Sequence, residues 1–99
     1  MKPLSVTLTF PEGERAVDYA RRLSQAGLDG EGFLRLVERP GTLKPPYVEG
    51  RTLEGYLFPA TYTFDLLATP EEVVRAMLRR FEAELTPPVQ RLLEERGLS

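Results

Sequence analysis

Glu54 stands at the head of the most apolar run in this chain, "LEGYLFPATYTF", from Leu53 to Phe64. Leu53, Tyr56, Leu57 and Phe58 flank it, and an apolar setting disfavours the ionised form of a carboxyl group. A carboxyl group kept neutral in this way donates a proton near neutral pH. Gly55, next to it, lets the backbone turn or a ligand come close. Tyr56, Phe58 and Tyr62 offer flat faces suited to sugar rings. The residues therefore suggest a general acid acting on a carbohydrate. The competing reading makes Glu54 an exposed loop residue and the aromatic side chains plain core.

A glycosidase that works with two carboxylates needs them about 5 to 9.5 Å apart. Glu49 is the nearest in sequence, but five extended residues span roughly 16 Å. Only a sharp turn at Gly50 would bring it close. The Glu-Gly pairs at Glu12, Glu31 and Glu49 sit among polar or turn residues and read as turn chemistry. There is no histidine and no cysteine, which excludes a Ser/His hydrolase, a thiolate nucleophile, disulfides and the usual soft metal-ligand sets. Lys2 and Lys44 lack the apolar surroundings a Schiff-base lysine needs. The expectation is no metal and no cofactor.

The elements that must position Glu54 fit one small α+β domain, since 99 residues rarely support two cores. Val6, Leu8 and Phe10 alternate with Ser5, Thr7 and Thr9, the period of a half-buried strand. Pro11 and Gly13 stop it. In "ERAVDYARRLSQAG" the residues Ala16, Val17, Ala20, Leu23 and Ala26 are expected on one helical face, with Gly27 as left-handed cap. Asp29 caps a shorter helix bearing Phe33, Leu34, Leu36 and Val37, which stops before Pro40. The stretch from Arg39 to Arg51, rich in proline and glycine, reads as an ordered loop. An edge strand begins at about Thr61, because Pro59 cannot sit inside a ladder, and it pairs with the first. Thr69, Pro70 and Glu72 start a third helix carrying Val74, Met77, Leu78, Phe81 and Leu85. "TPPVQRLLEERG" makes a fourth. Two strands alone are marginal in water, so the helices must cover one face of the ribbon.

Net charge excludes one class of partner. At −2 the chain lacks the basic surface a nucleic acid requires. Its 41% apolar and 28% charged residues are those of a globular protein. No apolar run approaches the roughly 20 residues that cross a bilayer, and "MKPLSV" does not read as a secretory leader.

"LEGYLFPATYTF" resembles the signature of the MltG/YceG-like endolytic murein transglycosylases, which runs Leu-Glu-Gly-aromatic-apolar-aromatic-Pro-Asp-Thr-Tyr. "VTLTFPEGERAVDYARRLSQAGL" is similar to the strand, "PEG" turn and helix of that family's LysM-like subdomain, so the likeness covers nearly the whole chain. The resemblance implies a LysM-like strand-helix-helix-strand unit over residues 1–68 with the catalytic acid/base at Glu54. Residues 69–99 would be a helical extension leading toward a further catalytic segment. It implies sugar contacts at Gly55, Tyr56, Phe58 and Tyr62. The implied substrate is the peptidoglycan glycan strand, cut between N-acetylmuramic acid and N-acetylglucosamine to leave 1,6-anhydro ends. It also implies a membrane anchor before this region, further cleft residues after it, and a place on the outer face of the inner membrane. The 99 residues by themselves are then expected to be soluble, folded and nearly inactive. Ala60 stands where the family usually has aspartate. An older label that travels with the family, aminodeoxychorismate lyase, is disfavoured by the absence of a suitable cofactor lysine.

Two other functions compete. A non-catalytic LysM-like module would bind peptidoglycan through Tyr47 or Tyr56 and be indifferent to Glu54. A scaffold would dock other cell-wall synthesis proteins through the Val74, Met77 and Phe81 side of the third helix. That stripe has the spacing of any buried helix face.

Overall fold

The structure, a computed structural model, describes residues 4–84. Strand β1 (Ser5–Thr9) and strand β2 (Thr61–Asp65) form an antiparallel ribbon in the register Ser5↔Asp65 to Thr9↔Thr61. The Phe10 N–H donates to the Ala60 carbonyl at 2.9 Å and carries the pairing one step further. Alternation sorts the two faces. Val6, Leu8, Tyr62 and Phe64 pack against the core, while Thr7 meets Thr63 and Thr9 meets Thr61 on the open face, each hydroxyl pair 3.0 Å apart. The expected edge strand at Thr61 and its pairing with β1 are both present.

Helix α1 (Ala16–Gln25) buries Ala16, Tyr19, Ala20 and Leu23. This corrects one expectation: Val17 is 46% exposed, and Tyr19, at 4%, takes the place assigned to it. The helix starts at Ala16, and from that start the i, i+3, i+4, i+7 stripe runs through Tyr19. At the far end Gly27, with φ +93°, lets the Gly27 N–H reach the Ser24 carbonyl and the Leu28 N–H reach the Leu23 carbonyl. These are the two bonds of a Schellman cap.

Helix α2 (Gly30–Glu38) begins where the Gly32 N–H donates to Asp29 Oδ1 at 2.8 Å, and ends before Pro40 as its sequence requires. Phe33 and Val37 are its buried anchors. Gly30 permits a close crossing of α2 over α1, because a Cβ built there would run into the Ala20 carbonyl oxygen and the Ser24 Oγ. Gly30→Ala is therefore expected to destabilise the fold by about 1–3 kcal/mol through overpacking, to be read from the midpoint of urea unfolding. A midpoint equal to that of the parent would disprove the close crossing.

Between α2 and β2 the chain makes a short 3₁₀ turn at Gly41–Leu43 and then an ordered loop pinned by Val48 and Leu53. The Leu53 N–H donates to the Val37 carbonyl at 2.8 Å, which fixes the approach to Glu54. Helix α3 (Pro70–Ala83) carries the expected capping box: Thr69 Oγ1 accepts the Glu72 N–H and the Glu72 carboxylate accepts the Thr69 N–H. Val73, Val74, Met77 and Leu78 join the same buried cluster as Phe10, Tyr19 and Phe33. Val74 and Met77 are wholly enclosed, whereas Phe81, the third residue of that stripe, is only partly buried. The architecture is α+β, as expected. Leu85 and the fourth helix expected after Thr86 lie outside the described residues. Among the described residues no helix is long and apolar enough to cross a membrane.

Candidate functional site

Glu54 occupies a turn that its neighbours hold in place. Leu53 and Leu57 are 0% and 8% exposed, and the Tyr56 N–H donates to the Leu53 carbonyl at 3.0 Å. Gly55 sits at the third position of that turn with φ +92°, a conformation the type II turn reserves for glycine. With the two leucines turned inward, Glu54 points outward and is exposed. This corrects the expectation of an apolar enclosure: Leu53 and Leu57 are buried in the core, and the exposed carboxylate is not covered by them. Glu54 Oε2 instead accepts the Ala16 N–H at 2.9 Å, at the first turn of α1.

Two grooves meet at this carboxylate. One, of about 250 Å³, is bordered by Glu12, Glu14, Tyr19, Gly55, Leu57 and Pro59 as well as Glu54. The other, of about 440 Å³, runs past Arg15, Val17, Leu34, Glu38 and Thr52 and again reaches Glu54. Glu12 and Glu14 come from the "PEGE" turn after β1, where Gly13 has φ +86°. In sequence Glu12 reads as turn chemistry, and no signal marks Glu14 or Tyr19. Only a helical phase counted from Ala16 could have placed Tyr19 here. Its hydroxyl donates to the Pro11 carbonyl at 3.1 Å, and burial pushes it above the usual phenol range, with the nearby glutamates adding to the effect.

Glu14 is committed elsewhere. Arg22 Nε and Nη2 donate to its two carboxylate oxygens at 2.8 and 2.7 Å. That hydrogen bonding holds Glu14 below the ordinary carboxylate range. A lowered value in the folded state means that the pair stabilises the fold above the ordinary range and that this contribution is lost as pH falls through the lowered value. Arg22→Gln should then return the Glu14 titration to the ordinary range and flatten the acid side of the stability profile. Following the Glu14 carboxyl carbon by NMR checks this, and an unmoved titration would refute it.

The aromatic residues expected to contact sugar lie outside both grooves. Tyr47, Tyr56 and Phe81 of α3 form a cluster of rings with centroids 5.6 to 6.2 Å apart. The Tyr47 hydroxyl donates to Glu82 at 2.8 Å, and burial, followed by that bond, raises its pKa. The Tyr56 hydroxyl accepts the Glu49 N–H at 3.3 Å. Phe58 lies under the Arg80 guanidinium, 5.5 Å from centroid to carbon. Tyr62 stacks on Phe64 inside the helix-covered face, and its hydroxyl donates to the Phe58 carbonyl at 2.6 Å. Burial pushes it up to about 12. Of the expected contacts, Gly55 alone borders a groove with Glu54. Glu49, the carboxylate nearest in sequence, borders neither groove, and Glu12 does.

Compared with known protein families, residues 1–99 match the YceG-like family. No curated protein and no solved structure matches.

Proposed function

Because the chain belongs to the YceG-like family, we propose that it supplies the Glu54 part of a peptidoglycan lytic transglycosylase. The observation that carries this reading is a glutamate held by a glycine turn at the junction of two grooves, with its carboxylate fixed from one side. A glycan strand laid along both grooves would put a glycosidic linkage at that junction.

In the proposed reaction the Glu54 carboxyl gives its proton to the departing glycosidic oxygen as the bond from the muramoyl C1 breaks. The resulting carboxylate then takes the proton of the muramoyl C6 hydroxyl while O6 closes on C1. No water is consumed, and one residue serves as acid and then as base. This is why a single side chain suffices where hydrolysing glycosidases need two. Closure around Glu54 would come from the bound glycan and from segments flanking this one, since Leu53 and Leu57 do not provide it. Ala60 offers only backbone here, its carbonyl being used by Phe10. The protein that carries this region would work at the outer face of the inner membrane.

The test is the nature of the ends released from purified peptidoglycan. Transglycosylation leaves 1,6-anhydro ends, lighter by one water than the reducing ends a hydrolase makes. Reducing ends would refute the mechanism.

A second reading rests on the strand-helix-helix-strand order of β1, α1, α2 and β2, which suits a LysM-like module that binds peptidoglycan without cutting it. In that case the half-buried Tyr47 and Tyr56 rings carry the binding, and retention on peptidoglycan falls when either is replaced while Glu54 substitutions change nothing.

A further inference from the structure

One hydrogen bond joins the Glu54 turn to a helix 38 residues earlier, from the Ala16 N–H to Glu54 Oε2. Ala16 is the first residue of α1, so its amide is one of those with no acceptor inside the helix. Three of the amides around it are satisfied locally. The Arg15 N–H donates to Asp18 Oδ2 at 3.0 Å, and the Asp18 and Tyr19 N–H groups both return to the Arg15 carbonyl. The Ala16 amide is directed at the turn. It cannot drift, because Ala16, Tyr19, Ala20 and Leu23 tie this end of α1 into the core.

We propose that the Ala16 amide is the positioning group for the Glu54 chemistry: it anchors Oε2 and leaves Oε1 as the oxygen that gives and takes the proton. The inference rests on the acid/base role argued above. An outward glutamate would otherwise sample several rotamers, and a misplacement of about 1 Å can cost on the order of 10² in rate. Tethering one oxygen to a helix that the core immobilises gives the other a fixed direction.

The fold allows this donor to be deleted almost alone. Proline is favoured at the first helical position, where its φ fits and its missing N–H removes no intrahelical bond. Arg15, with φ −97° and ψ 170°, already has the extended conformation required of a residue before proline. Ala16→Pro therefore keeps the helix and removes the anchor.

The primary measurement is the amide resonance of Ala16 followed by NMR as a function of pH. Glu12, Glu14, Arg15, Tyr19 and Glu38 share the two grooves, and Asp18 accepts the adjoining Arg15 N–H, so the Glu54→Gln protein assigns the source. In the parent the Ala16 amide should move with a carboxyl titration, and in Glu54→Gln most of that movement should vanish, leaving only what Asp18 transmits through the Arg15 amide. An amide that stays flat, or moves equally in both proteins, overturns the anchor. In the cleavage assay of the whole protein that carries this region, Ala16→Pro should lower kcat about 10²-fold and leave KM unchanged. A folded Ala16→Pro protein with the parent kcat also overturns it. If that variant does not fold, the amide titration decides. If the whole protein that carries this region releases no anhydro ends at all, the catalytic reading fails while the titration still tests the anchor by itself.

Discussion

In the whole protein that carries this region, Glu54→Gln is expected to lower the release of 1,6-anhydro ends by about 10² to 10⁴-fold, the range that general acid-base catalysis contributes, with little change in melting temperature. Glutamine has nearly the same shape, and its amide oxygen can still accept the Ala16 N–H that Glu54 Oε2 accepts at 2.9 Å. What it lacks is a proton that can be exchanged with a glycosidic oxygen. The loss of a negative charge near a helix start should cost no more than about 1 kcal/mol. Glu54→Ala is different, because it removes chemistry and acceptor together and should also destabilise the protein by about 0.5–2 kcal/mol, like the loss of a helix cap. The pair separates two roles that a single substitution would confuse. Retained cleavage in a folded Glu54→Gln protein would end the catalytic reading. A large fall in melting temperature for the same variant would show a structural role instead.

The second large effect is on folding. Phe10 is 1% exposed and makes edge-on contacts with three rings, to Tyr19 at 4.8 Å, Tyr62 at 5.9 Å and Phe64 at 6.5 Å. It joins α1 to both strands and fixes the start of the "PEGE" turn that brings Glu12 to the groove. Phe10→Ala removes these contacts and leaves a void, for which about 3–5 kcal/mol is the expected cost. Domains of this kind have only about 5–15 kcal/mol in total. At roughly 4–8 °C per kcal/mol for this size, the melting temperature should fall by about 12 °C or more. Thermal unfolding followed by circular dichroism checks this. A fall of only a few degrees would mean that Phe10 is not the centre of the core.

The successes and failures of reading the sequence divide along one line. Asp29, Thr69 with Glu72, Gly27 and the stop before Pro40 were legible because each acts on backbone groups within a few residues. The α+β order and the β1–β2 pairing followed from alternation and from Pro59. The phase of α1 did not: over ten residues Val17 and Tyr19 fit an apolar stripe almost equally well, and a shift in the starting residue decides between them. Val74 and Met77 were legible as a helix face, and burial in the single core decided that the face is internal.

The site shows the same division more sharply. By itself the sequence determined that Glu54 heads an apolar run and that Gly55 after it leaves the backbone free to turn, and the resemblance of "LEGYLFPATYTF" supplied the chemistry proposed for it. It could not determine which way Glu54 points, because a turn has no fixed side-chain period and only the burial of Leu53 and Leu57 sends the carboxylate outward. Nor could it bring the Ala16 amide, Glu12 and Tyr19 to that carboxylate, or draw Tyr47 and Tyr56 away to Phe81. Those meetings join residues separated by 25 or more positions, and they exist only once helices and ribbon have closed on a common core. Local backbone bonding is written into short stretches of sequence, whereas the surroundings of a side chain belong to the packed whole.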